Sequence, residues 1–389
     1  MAIDESQVTA TVAAVIDPEL RRPLGELGMV GRVGIKRKRV AIELALPVAH
    51  YPQVDELVQR VREAVGPLDG VAEVAVEPGV MDEEPRARLR MLLRGEPVDG
   101  GTQHAADDHP HAHGGQLGHE EGRPNRFMLP RSKTRIIGVS SGKGGVGKSS
   151  VTVNLAVALA RMGYDVGILD ADVYGFSVPK MLGVTEDPLI IGDLVVPPTA
   201  NGVRCLSMGY FVPDDTPVIW RGPMLHKALE QFLVDAYWGE PDFLLIDMPP
   251  GTGDVTLSLG QYLTKTEVYV VTTPQPAAGR VAQRSAYAAR KLKLAVRGVI
   301  ENMSWFTGDD GKRYQLFGAG GGRQLADELG VPLLAQVPLV PTLRQGGDEG
   351  IPVMVADPAS EASAVFEQLA TAVLELGPAR VYRKELTVR

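Results

Sequence analysis

The residues with the most specific chemical spacing form one run, Gly142-Lys143-Gly144-Gly145-Val146-Gly147-Lys148-Ser149. Glycines at this density permit a tight turn that aims successive backbone N–H groups at one point. A helix beginning at its end adds a partial positive charge, and the two together make a seat for phosphate oxygens. Lys148 is placed to reach the β and γ phosphates of a nucleotide, and the Ser149 hydroxyl suits Mg²⁺. Ser150 continues the nucleotide-contacting run. Two further stretches put carboxylates where ligands bind α/β sheets, at the ends of apolar strands. One is Ile168-Leu169-Asp170 leading into Ala171-Asp172, and the other is Phe243-Leu244-Leu245-Ile246-Asp247. Met248-Pro249-Pro250-Gly251-Thr252-Gly253-Asp254 then mixes rigid and permissive residues, the composition expected of a hinge that senses a γ phosphate.

The elements that must hold these groups follow from the apolar pattern. Arg135 to Val139 reads as a strand, and Val151, Leu155 and Leu159 recur every fourth position after the turn, so the context is strand, loop, helix. Further apolar runs at 165–170, 243–247, 267–272 and 297–302 alternate with helical stretches. Fully apolar strands separated by helices predict an α/β fold whose mostly parallel sheet is covered on both faces, over residues 131–377. Before it, a helical stripe (Val8, Val12, Ile16), a period-two run (Val40, Ile42, Leu44, Leu46), a second stripe (Val54, Leu57, Val58, Val61, Val65) and Val71 to Val76 predict a small α+β domain over 4–82. Between 95 and 130 the pattern dissolves into Gly, Asp, Pro and His, with His104, His109, His111, His113 and His119 in a flexible linker.

Totals narrow the partners. Forty Lys+Arg against 48 Asp+Glu give a net charge of −8, which repels nucleic acid and anionic lipid. No stretch reaches the roughly 18–20 apolar residues needed to span a bilayer, and the start is acidic where a secretory signal is basic, so a cytoplasmic protein without membrane contact is expected. A single cysteine, Cys205, excludes an intrachain disulfide; it lies in an apolar run, Val203 to Met208, that reads as a core strand.

Lys143, one residue after the first glycine, resembles the signature lysine of the deviant Walker A ATPases, which include the MinD/ParA proteins, the nitrogenase reductase component and the Mrp/ApbC iron–sulfur carriers. Asp170 to Gly175, Trp220-Arg221-Gly222-Pro223-Met224, Pro249 to Asp254, Val299-Ile300-Glu301-Asn302-Met303-Ser304 and Phe317-Gly318 with Gly320-Gly321-Gly322 resemble the Mrp/ApbC family specifically. Val15 to Leu20 and Glu26 to Val30 resemble the small iron–sulfur-assembly domain often fused in front of it. The resemblance implies a P-loop NTPase that hydrolyses ATP with Mg²⁺ as a nucleotide-bridged homodimer. Lys143 would touch the partner's phosphates in trans, Asp172 would orient or deprotonate the attacking water with Asp170 in support, and Asp247 would hold Mg²⁺ through water. Asn302 would read adenine, its amide offering a donor and an acceptor, unless it forms a turn. The family function is to bind iron–sulfur clusters and pass them to apoproteins or assembly factors.

One departure bears on that function. Typical members carry a Cys-x-x-Cys pair just after the Glu-Asn-Met-Ser motif, but here Trp305-Phe306-Thr307-Gly308-Asp309-Asp310-Gly311-Lys312 has glycines in those places. Tyr51 likewise stands where the small domain carries a cysteine. Clusters prefer thiolates, so the iron–sulfur ligands are unknown from the sequence. His109, His111 and His113 offer an alternative metal-capturing set. An ATP-gated scaffold that carries no cluster is therefore the rival reading, and a MinD/ParA-like positioning ATPase a further one, though the tail after Pro378 is short and mixed for a membrane helix.

Overall fold

The computed structural model describes residues 3–96, 125–173, 175–211, 222–251 and 253–379. The histidine-rich segment, Trp220-Arg221 and the residues from Arg380 onward lie outside that set. The chain divides into two compact units: one holds the N-terminal residues with Pro188–Val196 and Asp235–Gly239, and the other holds the rest.

In the larger unit, eight strands form one sheet in the order 333–336, 295–301, 267–272, 135–141, 243–247, 166–170, 203–207 and 199–200. All neighbours run parallel except the last pair. The central strands are buried along their whole length, which is why they read as unbroken apolar runs and not as alternating ones. The helix Lys148–Arg161 buries residues on every side, including Val151, Leu155 and Leu159, and Glu361–Leu376 adds Phe366, Leu369, Ala370 and Val373 to the same core. Cys205 is fully buried in the strand Val203–Ser207, as its apolar neighbours predict. At the opposite end of the sheet from the glycine-rich loop, buried Arg135 closes a forked pair with Glu267, its Nη2 2.7 Å from Oε2 and its Nε 3.0 Å from Oε1. That geometry matches a planar guanidinium to a carboxylate and holds the first strand to its neighbour.

Register decides what faces the loop. Asp247 sits opposite Val139 on one side and Asp170 on the other, so three adjacent strands end in a row with the loop after 141, then Asp247, then Asp170.

The smaller unit has a three-stranded sheet, Val30–Lys36 antiparallel to Arg39–Leu46, which is parallel to Glu73–Val80. Helices Glu5–Ala14 and Val54–Val65 bury Val8, Val12, Leu57, Val61 and Val65 in its core. Leu189, Ile191, Leu194, Val196 and Tyr237 join that core from much later in the chain. The helix Glu83–Arg94 is not foreseen from the sequence, because only Leu89 and Leu93 are buried in a stretch dominated by Arg and Glu.

Candidate functional site

The loop's shape is fixed by contacts that only glycine allows. Gly147 has φ +80°, and a Cβ there would lie 2.1 Å from Asn302 Nδ2. At Gly142 a Cβ would stand 2.2 Å from the backbone of Val281 and Ala282, so the helix Pro276–Lys291 backs directly onto the loop. Nothing stands within 4 Å of a Cβ built on Gly144 or Gly145, so the loop's outer side is open. Lys143 is exposed and makes no ion pair among the described residues, and its carbonyl accepts a hydrogen bond from Ser141 Oγ at 3.1 Å. Val146, at the far end of the same loop, is buried.

Lys148 is 7% exposed, and its Nζ lies 2.6 Å from Asp247 Oδ2 and 3.8 Å from Asp172 Oδ2. Ser149 Oγ donates to the same Asp247 oxygen at 2.5 Å. Thr152 Oγ1 lies 2.7 Å from the other oxygen, Oδ1. Asp247 is fully buried, so these contacts replace the water that its charge would otherwise hold. Asp172 is also largely buried and accepts from the Gly175 N–H at 3.2 Å.

Asp170 takes a different role from its neighbours. It accepts from the N–H groups of Asp172, Ser177 and Val178 and from Ser207 Oγ, at 3.1–3.2 Å. One side chain thus fastens both ends of the loop that carries Asp172, which agrees with a structural reading of it. Burial, and then the nearby charge of Asp247, push its carboxyl up to about 7, against the opposing pull of those hydrogen bonds and Lys148.

Asn302 follows the end of its strand, beside the glycine-rich loop. It is 3% exposed; Nδ2 donates to the Val146 carbonyl at 2.9 Å, and Oδ1 accepts from the Met303 N–H at 2.9 Å. One N–H of the amide and one lone pair of its oxygen are engaged by backbone, which braces the phosphate loop from below.

A Ser149 hydroxyl and an Asp247 carboxylate oxygen side by side are hard oxygen donors of the kind Mg²⁺ accepts, so the site fits that ion. Thiolates are another matter. Cys205 is the one cysteine, and burial pushes its thiol well up from its ordinary range, which keeps it protonated. Where the sequence departs from the Cys-x-x-Cys pattern, strands Phe306–Thr307 and Arg313–Tyr314 form a closed hairpin. Asp310 accepts from Tyr314 Oη at 2.8 Å and from the Lys312 N–H at 3.0 Å, and Gly311 has φ +72°. A Cβ on Gly308 would stand 2.9 Å from the Tyr314 ring. No group of three or more His, Cys, Asp or Glu side chains able to hold a metal occurs among the described residues, and His109, His111 and His113 lie outside them. Among the described residues no helix is long and apolar enough to cross a membrane.

Comparison with known proteins agrees with the fold. A family model described as the NUBPL iron-transfer P-loop NTPase matches residues 132–374, and one described as an iron-sulfur cluster assembly protein matches residues 5–77. The iron-sulfur cluster carrier protein of Mycobacterium leprae is 44% identical over 90% of this chain and 88% of its own length. That of Bacillus subtilis is 39% identical over 87% and 88%. A solved nucleotide-binding protein from Archaeoglobus fulgidus, in complex with ADP, is 33% identical with a TM-score of 0.52, covering 60% of this chain and 91% of that one. With its strand, phosphate loop and two acidic strand ends in order, the chain is a P-loop ATPase and belongs to the family of the iron-sulfur cluster carrier proteins.

Proposed function

We propose that this protein is an ATP-hydrolysing carrier in iron–sulfur cluster assembly, working as a nucleotide-bridged homodimer that hands its cargo to apoproteins. The observation that carries the reading is the Lys148–Asp247–Ser149 constellation at the mouth of the glycine loop, in a chain 44% identical to a named carrier over nine-tenths of its length. On nucleotide binding, Lys148 turns from Asp247 to the β and γ phosphates. Ser149, and Asp247 through water, would hold Mg²⁺, which would supply positive charge against the phosphates. Asp172, kept beside Lys148 by the loop that Asp170 fastens, orients or deprotonates the attacking water. Lys143, exposed, reaches the phosphates bound by a second copy.

A second reading is favoured by the closed hairpin at 306–314 and the buried Cys205: an ATP-gated scaffold of the assembly system that carries no cluster itself. Anaerobic reconstitution with iron and sulfide, on untagged full-length protein, separates the two. Charge-transfer absorbance near the visible region, with iron and sulfide bound in stoichiometric amounts and transferable to an apoprotein, supports the carrier. Protein that hydrolyses ATP but gains no such absorbance overturns the carrier reading and leaves the scaffold.

A further inference from the structure

We infer that Thr152 is a positioning residue for the Mg²⁺-binding carboxylate, fixing the orientation of Asp247 when its other partners are called to the nucleotide; the inference rests on the ATPase reading of this site. Asp247 has two oxygens in unlike situations. Oδ2 is met by Lys148 Nζ and Ser149 Oγ, and both of those groups have work to do on phosphate and Mg²⁺. Oδ1 is met by Thr152 Oγ1 at 2.7 Å, from one helical turn beyond Lys148. Thr152 is fully buried, so no water competes for its proton and it cannot itself reach the open side of the loop.

The hydroxyl has two acceptors within reach and one proton. The Lys148 carbonyl lies at 3.0 Å, the ordinary back-bond of a helical threonine, and the carboxylate lies closer. A charged acceptor at the shorter distance takes the proton. The terminal torsion of an aspartate is soft and nearly two-fold. Once Lys148 and Ser149 release Oδ2, the Thr152 bond is what keeps that oxygen facing the loop and keeps the carboxylate from turning away. Neighbours that orient a metal-binding carboxylate in this way typically govern metal affinity by about 10- to 100-fold.

The test is the affinity of full-length protein for a fluorescent ADP analogue, measured with Mg²⁺ and with EDTA, beside the Mg²⁺ dependence of ATP hydrolysis. In Thr152→Val, which keeps the shape and removes the hydroxyl, affinity in EDTA should match the wild type, while the gain conferred by Mg²⁺ should fall about 10-fold. Half-maximal hydrolysis should then require correspondingly more Mg²⁺. Thr152→Ala, which adds no apolar bulk, should behave the same way, and Thr152→Ser should restore both readouts. A Mg²⁺ gain left intact in the valine and alanine variants overturns the inference, as does an equal loss with Mg²⁺ and with EDTA, which would mark a packing defect. Wild-type protein that bound ADP but hydrolysed no ATP would instead count against the ATPase reading.

Discussion

Replacing Lys148 with methionine should do two separable things, and the structure sets the size of each. Lys148 Nζ lies 2.6 Å from Asp247 and 3.8 Å from Asp172. Removing it from the nucleotide-free protein leaves a fully buried carboxylate with hydroxyl donors alone. Stripping one partner from a buried pair costs about 3–5 kcal/mol, and two surviving hydroxyl bonds place this case near the lower end. For a unit of this size that corresponds to a loss of roughly 6–20 °C in Tm. The sign of the pH dependence follows. Burial already raises the Asp170 carboxyl above its ordinary range against the pull of Lys148, so without the ammonium it is harder still to ionise in the fold. Stability from such groups is present at low pH and lost as pH rises, so the deficit of Lys148→Met should be largest near pH 8 and shrink toward pH 5. Hydrolysis should fall by at least about 100-fold at every pH, because loss of one preorganised donor to transition-state charge already costs that much. Differential scanning calorimetry across pH, beside steady-state phosphate release, reads both. A variant with wild-type Tm at pH 8 would refute the charge argument, and one that still hydrolyses ATP at the wild-type rate would refute the site.

Three further substitutions test neighbouring claims. Lys143→Ala should keep ATP affinity within a few-fold and lower turnover, and mixing it with Lys148→Met protein should recover hydrolysis in mixed dimers if each lysine serves a different nucleotide; phosphate release from the mixture at the sum of the two separate rates would contradict action in trans. Asn302→Ala should weaken ATP and GTP alike, since its amide braces Val146 and Met303, whereas a base-reading amide would change the ATP-to-GTP preference; competition binding with both nucleotides decides between them. Asp17→Asn concerns the smaller unit, where Oδ1 accepts from Glu19 N–H, Leu20 N–H and Tyr51 Oη while Oδ2 is buried without a partner. Burial raises the Asp17 carboxyl above its ordinary range despite those bonds, so wild-type stability from this group is lost as pH rises from about 4 through the raised value. The Tm difference between variant and wild type should therefore grow in the variant's favour from pH 4.5 to 8, and a difference that is flat with pH would refute the assignment.

What was legible in the sequence is what is local in it. Strand, loop and helix at 135–161 are contiguous, and the strands that end at Asp170 and Asp247 are buried on both faces, so an unbroken apolar run leads straight to each carboxylate. The placement of Cys205 in a core strand was readable for the same reason. Thr152 was not, because a threonine inside a helix looks like any other, and its partner is 95 positions away in sequence. Asn302 shows the limit more sharply. The end of the strand could be located, but the direction of the amide depends on the Val146 carbonyl crossing above it, 156 positions earlier. The same holds for Leu189 to Val196, whose apolar residues join the core of the N-terminal unit through contacts that no local period encodes.

Charge explains why these particular residues converge. Beside one ammonium, Lys148, stand the carboxylates of Asp172 and Asp247, with Asp170 on the next strand end. Water reaches little of this cluster, so the excess of negative charge cannot be dispersed into solvent. The protein answers in two ways. Backbone N–H groups and the Ser207 hydroxyl surround Asp170, and burial with the nearby Asp247 still raises its carboxyl above the ordinary range, which disfavours a third negative charge. The other two carboxylates keep their oxygens toward the loop, where positive charge is supplied with the substrate. A site arranged in this way should bind nucleotide with Mg²⁺ more readily than nucleotide alone. It also ties the loop that carries Asp172 to the strand end at Asp247 through buried Lys148, which is the kind of linkage by which phosphate occupancy can be felt beyond the site.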